Sequence, residues 1–424
     1  MKNKITKITA EEIKDSRGNP TIKVTVFACP LLEGCDDVSG SFSVPSGAST
    51  GIHEAHELRD PEPEQARYGA GDDGKGGMKK VIWNIENVIA PALIGQDVLN
   101  QKEIDQIMIE LDGTPNKDNL SGNAIIGVSI ACAKVAAKVY SLETFEYLRT
   151  LSEIRPSKKT PFLYMNLING GKHAKNDLAF QEYHVVPDTE NVSEAVEIGM
   201  KIQDSLKEII FRGLGGDSLM LGDEGGFAPK ISDIRKPLEY LSKAIKENNL
   251  EEKVRLALDV AASSFYSEGK YKVDGREITK EKLMDIYKSL IIEFNLLSIE
   301  DPFEEEDFES FRKLRENEKD FLVVGDDLTV TNTSLLEKAI EKGSINAMII
   351  KPNQIGTLFE TLETMKKARE NDIELIVSHR SGETDDDFIA DLAYAFGCFG
   401  LKSGSPLKAE RKVKYDRLIK ISKR

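Results

Sequence analysis

Apolar and polar residues alternate near the start of the chain and give way to a helical period further on. Residues 5–29 alternate on both sides of DSRGNP, a turn signal at 15–20, and predict a pair of antiparallel strands. Apolar positions three and four apart then predict helices at 79–93, 101–111 and 123–139. Strands followed by helices are typical of a small α+β domain. We place this N-terminal domain at residues 1–140.

From about residue 161 onward the pattern changes to short apolar runs, each closed by a polar residue and followed by a helical segment. Such runs are typical of parallel strands buried on both faces. The residues that close the six clearest runs are 23 to 41 positions apart: Asp259, Glu300, Asp326, Lys351, His379 and Lys402. The longest interval contains FYSEGKYKVDG, which predicts a local hairpin. The repeat predicts an α/β protein in which a TIM-type β/α barrel at residues 141–424 follows the smaller α+β domain.

Three of the closing residues are carboxylates. Functional groups of such a barrel lie at the carboxyl ends of its strands, so Asp259, Glu300 and Asp326 are expected to meet, unpaired, at one rim. Carboxylates that lie only a few ångströms apart repel each other unless a cation lies between them. Oxygen-only ligands favour Mg²⁺ over zinc. An acidic residue at a strand end can also simply face solvent. Three in series, followed by a lysine, favour a metal site.

Positive charge is predicted at the same rim. Lys351, Arg380 and Lys402 are suited to the carboxylate and phosphate of a small anionic substrate. Metal and cations beside Lys351 are expected to lower its pKa, so that it acts as a base near neutral pH. Glu224, in LGDEGGFAP, is expected at the end of another strand, among glycines that allow close approach; a plain acidic turn is the alternative reading.

Composition narrows the possible partners and location. The net charge of -15 disfavours nucleic acid and anionic membrane surfaces. The opening residues lack the apolar stretch of a secretory signal, and the most apolar segment, 124–137, is too short to span a bilayer. Four scattered cysteines do not indicate a disulfide framework. The chain is therefore expected to be cytoplasmic, with no membrane or nucleic-acid partner.

One glycine pattern is set aside. Gly69, Gly71 and Gly74 spell G-x-G-x-x-G, but no predicted strand precedes them, and we interpret the segment as a surface loop.

Short segments along essentially the whole chain resemble the enolase family, in the same order and with the same spacing. They are DSRGNPT (15–21), VPSGASTG (44–51), LDGTPNK (111–117), NGGKHA (169–174), QE (181–182), GDEGGFAP (222–229), SIEDPF (298–303), VGDDLTVTN (324–332), KPNQIGT (351–357), SHRSGETDD (378–386) and KYDRLIKI (414–421). Together these segments make the resemblance highly specific.

The resemblance implies a lyase that removes water from 2-phosphoglycerate to give phosphoenolpyruvate, with two Mg²⁺ per active site. Asp259, Glu300 and Asp326 would hold one ion, and Ser49 would close on the second. Lys351 would be the base at C2 and Glu224 the acid that expels the C3 hydroxyl. The remaining residues that the resemblance assigns to catalysis or substrate binding are His173, Glu182, His379, Arg380, Ser381 and Lys402. A homodimer or an octamer is implied as well.

The sequence departs from the usual enolase pattern at a few positions. Ser264 stands where a Glu is usual, Pro352 follows the expected base, Lys408 replaces a usual Arg, and residues 69–77 form an insertion. Two alternatives therefore stay open. One is a divergent relative that acts on another phosphorylated or phosphonate acid, and the other is a non-catalytic binding protein that keeps the scaffold.

Overall fold

The structure is a computed structural model of the chain and describes residues 3–29, 37–47, 51–61, 76–317 and 320–424. The chain opens with β1 (Lys4–Lys14), β2 (Pro20–Cys29) and β3 (Val38–Ser43), which form one antiparallel sheet with β2 in the centre. The predicted strand pair is confirmed. Its turn is closed by Asp15, whose carboxylate accepts the N–H groups of Arg17 and Asn19, while Gly18 takes a φ of +81°.

Helices follow the sheet, as the apolar period predicts. They are α1 (Lys79–Asn84), continued by a π-helical turn at Ile85–Ile89 into α2 (Ala90–Leu93), then α3 (Gln101–Asp112), α4 (Gly122–Val139) and α5 (Thr144–Leu151).

The sheet of β1 to β3 and the helices α1 to α5 form an N-terminal layer, and helix α4 is its core. Among the described residues it is the one helix long and apolar enough to cross a membrane, at 18 residues, so the expectation that this segment is too short was wrong. Burial gives the better argument: 83% of the helix is buried, and it packs against β2 and β3. Its apolar composition therefore serves the interior of a folded domain.

The remaining strands and helices alternate over the rest of the chain. The strands are β4 (Phe162–Asn169), β5 (Glu182–Pro187), β6 (Val254–Asp259), β7 (Tyr266–Ser267), β8 (Lys270–Val273), β9 (Arg276–Ile278), β10 (Leu296–Glu300), β11 (Leu322–Gly325), β12 (Ala347–Ile350), β13 (Glu374–Ser378) and β14 (Gly400–Lys402). The helices are α6 (Val192–Leu214), α7 (Lys236–Glu247), α8 (Lys280–Phe294), α9 (Phe308–Asn317), α10 (Thr333–Lys342), α11 (Pro352–Ile355), α12 (Leu358–Glu370), α13 (Phe388–Ala395) and α14 (Ala409–Ser422). β7 to β9 form the predicted local hairpin, extended by one strand.

Eight of these strands close into a barrel in the order β10-β11-β12-β13-β14-β4-β5-β6. The predicted TIM-type barrel is thus confirmed, with one difference in strand direction. β5 runs antiparallel to both of its neighbours, β4 and β6. Its first residue, Glu182, pairs with Asp259, the last residue of β6. A residue that begins β5 therefore lies at the same rim as the residues that end the parallel strands.

Apolar side chains fill the barrel and hold that rim in place. Val186, Ala257, Val324, Ile349 and Ile376 belong to a buried cluster to which six strands contribute. Such packed layers make the barrel interior a core and leave only the ends of the strands for chemistry.

The N-terminal layer is fixed to the barrel near the rim by polar contacts. The Lys134 ammonium donates to both carboxylate oxygens of Asp386, each at 2.7 Å. Ser46 forms an antiparallel bridge with Gly382, and the Ser46 hydroxyl donates to Asp15 at 2.7 Å. The residues just after β3 are thereby held beside the loop that follows β13.

Candidate active site

The carboxyl ends of the barrel strands surround a small polar pocket. Most of the residues singled out from the sequence line it: His173, Glu182, Glu224, Asp259, Asp326, Lys351, His379, Arg380, Ser381 and Lys402. Glu300 is not one of these lining residues, but it contacts Lys402, which is. Ser49 falls outside the described residues. The structure thus gathers residues from distant parts of the chain at one rim.

Lys402 occupies the centre of the acidic side of the pocket. Its ammonium lies 2.8 Å from Asp259, 2.9 Å from both oxygens of Glu300 and 3.3 Å from Glu182. Burial lowers the pKa of Lys402, but the opposing effect of these carboxylates is larger, so the pKa lies well above its ordinary value. In turn, burial raises the pKa of Asp259, and Lys402 outweighs burial and brings it to about 2. The expectation of unpaired carboxylates was wrong, because lysines from the same rim neutralise them.

Lys351 faces the third carboxylate. Its ammonium donates to Asp326, whose other oxygen accepts from the Gln354 amide at 2.9 Å. Burial lowers the pKa of Lys351, yet Asp326 and Glu300 belong to a set of carboxylates that together outweigh burial, and the net pKa is raised. The expectation of a lowered pKa was therefore wrong for the protein groups alone, which raise the pKa of Lys351.

Asp301 aligns the strand ends from below. Its two carboxylate oxygens accept the backbone N–H groups of Asp326 and Asp327, at 2.9 and 2.7 Å. Because Asp301 follows β10 and the other two follow β11, this contact fixes two neighbouring strand ends to each other. Asp301 itself takes a left-handed φ of +42°.

A pair of buried carboxylates and a histidine also line the pocket. His173 Nδ1 lies 3.5 Å from both Glu182 and Glu224, and Asn166 donates to Glu224 at 3.0 Å. Burial and the facing charge of Glu224 raise the pKa of Glu182 well above its ordinary value. Burial raises the pKa of Glu224 as well, but its contacts with His379 and His173 outweigh burial and bring that pKa well below its ordinary value. Glu182 therefore holds the proton of this pair.

Glu224 does not end a strand, contrary to the expectation. It lies in a turn between isolated bridges at Leu221 and Phe227, and Phe227 also pairs with Ile168 of β4. Glycines make this close approach possible, since a Cβ on Gly226 would lie 2.8 Å from the backbone of Leu167. The plain acidic turn was the correct local structure, although it points its side chain into the pocket.

Arg380 is engaged by a carboxylate from the N-terminal layer. Both terminal nitrogens of its guanidinium lie 2.9 Å from one oxygen of Glu54, and Asn353 accepts at 3.2 Å. Arg380 and Glu54 side chains are only 3% and 9% exposed. A carboxylate therefore occupies the guanidinium face to which the sequence assigns an anionic substrate group.

The donor set fits a hard divalent cation. Asp301, Asp326 and Asp327 offer oxygen atoms that all lie within 4.8 Å of one another, and His173, Glu182 and Glu224 form a second such group. Asp259 and Glu300 add carboxylates on adjacent strands, gathered around Lys402. Oxygen-rich sites of this kind suit Mg²⁺.

Sequence reasoning missed several groups that shape the pocket. Glu54, Asn166, Asp301 and Arg411 were not singled out, although each contacts a residue that was. Asp301 had a signal, because it is a second acid directly after Glu300. The others are polar residues in unremarkable positions, and only the folded chain brings them to the site.

Comparisons with known proteins agree with this geometry. Residues 5–148 match the family model "Enolase, N-terminal domain", and residues 157–424 match "Enolase, C-terminal TIM barrel domain". The chain is 46% identical to the enolase of Methanocaldococcus jannaschii, over 98% of this chain and 94% of that protein. It is 45% identical to the enolase of Methanopyrus kandleri, over 99% and 95% of the two chains.

We predict that replacing Lys402 with Met destabilises the fold, because it leaves Asp259 and Glu300 buried without their ammonium. The free energy of unfolding in chelator-treated buffer should fall by about 3–5 kcal/mol, measured by urea denaturation. The loss should grow as the pH rises, since the carboxylates ionise. Lys412→Met, which replaces an exposed side chain on α14, is the control and should change stability little. A loss under about 1 kcal/mol would mean that Lys402 does not neutralise these groups.

Proposed function

The chain belongs to the enolase family, and we propose that it catalyses the reversible, Mg²⁺-dependent dehydration of 2-phospho-D-glycerate to phosphoenolpyruvate. The observation that supports this proposal is that a candidate base, Lys351, and a candidate acid, Glu224, line the same pocket. Lys351, next to a cluster of carboxylates, lies at the end of β12, and Glu224 enters from a turn beside β4. A base and an acid from different directions are what an elimination across adjacent carbons needs.

We assign the first Mg²⁺ to Asp259, Glu300 and Asp326, and a second to Ser49. Asp259, Glu300 and Asp326 would hold this ion, which would supply positive charge to stabilise the negative charge developing on the substrate carboxylate and would weaken the hold of Asp326 on the Lys351 proton. Gln354 and the backbone contacts from Asp301 support this assignment, because they orient Asp326.

Lys351 takes the proton from C2 in this proposal. Its amine is almost fully enclosed, with the side chain 13% exposed, so water does not compete strongly for the transferred proton. The backbone N–H of Lys351 donates to the hydroxyl of Thr331 at 2.9 Å, which fixes the start of the side chain.

Glu224 gives a proton to the departing C3 hydroxyl, and Glu182 and His173 assist it. The carboxyl pair of Glu224 and Glu182 stores the proton, as the raised pKa of Glu182 supports. Asn166 holds Glu224 by one oxygen, so the other faces His173 and His379. The acid is thereby oriented before substrate arrives.

The remaining rim residues bind the substrate. We assign Arg380 and Ser381 to the phosphate and His379 and Lys402 to the rest of the substrate. A planar guanidinium is well suited to a phosphate, and Arg380 lines the pocket and is held there by its neighbours.

Further assignments follow from the same proposal. We propose a cytoplasmic protein of glycolysis that acts as a homodimer or as an octamer. The net charge of -15 supports a protein without nucleic-acid or anionic membrane partners.

The two proton-transfer roles can be separated by isotope exchange. Lys351→Ala should lose both dehydration and exchange of the C2 proton with deuterated solvent, because both need the same base. Glu224→Gln should lose dehydration by about 10²–10⁴ while exchange survives, because the C2 proton can still leave and return. NMR of 2-phosphoglycerate in deuterated buffer measures both. Exchange that persists in Lys351→Ala and vanishes in Glu224→Gln would reverse the two roles.

Metal binding has its own test. Asp326→Asn should weaken Mg²⁺ binding by more than about ten-fold in calorimetric titration, because it removes a charged oxygen ligand. Asp416→Asn, which removes an exposed carboxylate on α14, should leave the titration unchanged. An unaltered titration in the Asp326 variant would contradict the assigned site.

The Glu54 contact predicts competition for the phosphate position. Glu54→Gln should bind inorganic phosphate about ten-fold more tightly, a gain of roughly 1.4 kcal/mol, because Arg380 no longer has to exchange one anion for another. Glu57→Gln is a matched control, since Glu57 pairs with Arg59. Calorimetry with phosphate measures the effect. Weaker phosphate binding in Glu54→Gln would mean that Glu54 positions Arg380 and does not compete.

A further inference from the structure

Arg411 is a charged residue whose side chain is entirely buried beside the pocket. Among the described residues its one ion pair is with Glu410, at 3.8 Å from Nε. Its terminal nitrogens instead donate to the carbonyl oxygens of Arg380 at 2.5 Å, Ser381 at 2.7 Å and Asp223 at 3.3 Å. A guanidinium buried at such cost is expected to have a specific task.

The fourth contact of Arg411 indicates that task. Its Nη1 lies 2.6 Å from Nδ1 of His379. A guanidinium only donates hydrogen bonds, so Nδ1 must accept with its lone pair. A neutral imidazole whose Nδ1 accepts carries its proton on Nε2.

Nε2 of His379 is directed at the reacting side of the pocket. It lies 3.3 Å from Oε1 of Glu224, and among the described residues this buried nitrogen completes no hydrogen bond. Burial and the charge of Arg411 outweigh the opposing effect of Glu224 and lower the pKa of His379 to about 3, so the ring stays neutral. A buried donor that completes no hydrogen bond with the carboxylate facing it points to an oxygen that arrives with the substrate.

We propose that Arg411 is a positioning residue that holds His379 as the neutral Nε2–H tautomer, so that His379 offers a hydrogen-bond donor to a substrate oxygen next to Glu224. In this arrangement His379 is not a base. Arg411 also joins the loop after β13 to the turn that carries Glu224, so one side chain sets both the tautomer and the spacing of the two groups. The catalytic part of this inference rests on the proposed function; the tautomer does not.

The tautomer can be read from the unmodified protein. The chain contains five histidines, so ¹⁵N spectra of sedimented protein labelled at histidine should be resolvable, and His379→Gln identifies the signal by its loss. We expect one protonated and one unprotonated ring nitrogen for His379, with the proton on Nε2, throughout pH 6–8. A proton on Nδ1, or an imidazolium, would overturn the proposal whatever happens to any variant.

Variants then test the role of Arg411. Arg411→Met should give a mixture of tautomers and lower kcat/KM by about 10–100-fold, the usual effect of losing a group that orients a catalytic side chain. Arg411→Lys, which keeps a donor, should recover part of the Nε2–H signal. Lys412→Met, the adjacent exposed cation on α14, should change neither quantity.

The outcomes also separate this inference from the proposed function. If Arg411→Met keeps His379 fully in the Nε2–H form, the positioning role is wrong. If the unmodified protein shows the Nε2–H form but does not dehydrate 2-phosphoglycerate, the proposed function is wrong and the tautomer assignment stands.

Discussion

The ion-pair network around the Lys402 ammonium is the interaction on which the pocket depends. Asp259, Glu300 and Glu182 come from three different strands, and each is almost completely buried. Burying one such carboxylate without a partner costs several kcal/mol, and burying three together adds their repulsion. The barrel therefore closes in this form only because a lysine from a fourth strand, β14, ends at the same place. Asp259 and Glu300, which we propose as metal ligands, are thus the same carboxylates that Lys402 neutralises in the fold.

Strand direction explains how the network is assembled. Parallel strands deliver their last residues to the rim, which accounts for Asp259, Glu300 and Lys402. β5 is antiparallel and delivers its first residue instead, so Glu182 pairs with Asp259 across the sheet. The reversal places a carboxyl group with a raised pKa beside Glu224. If β5 ran parallel to its neighbours, its first residue, Glu182, would lie at the opposite end of the barrel.

The sequence predicted the barrel and the residues that close its parallel strands, because apolar runs ending in polar residues are a local pattern. It did not predict β5, since a short buried strand reads the same in either direction, and Glu182 entered only through the family resemblance. Lys351 was assigned a lowered pKa from its expected cationic neighbours, whereas its contact with Asp326 raises it. Arg411 lies 32 positions from His379 in a helix rich in charged residues, so no local pattern distinguished it. Contacts made only by folding are where sequence reasoning ended.

Three departures from the usual enolase pattern fit this scaffold, while most of the insertion at 69–77, with its glycine pattern, lies outside the described residues. Pro352 begins α11, where a missing N–H costs nothing and the fixed φ favours the first helical turn. Lys408 donates to the carbonyl of Asp223 at 3.1 Å, beside the contact from Arg411, so it still supports the turn that carries Glu224. Ser264 is exposed in a short helical turn after β6. A protein that had kept the scaffold only for binding would have no need to bury Arg411, Lys402 and four carboxyl groups at one rim. Such a concentration of buried charge costs stability, and its retention is explained most directly by turnover.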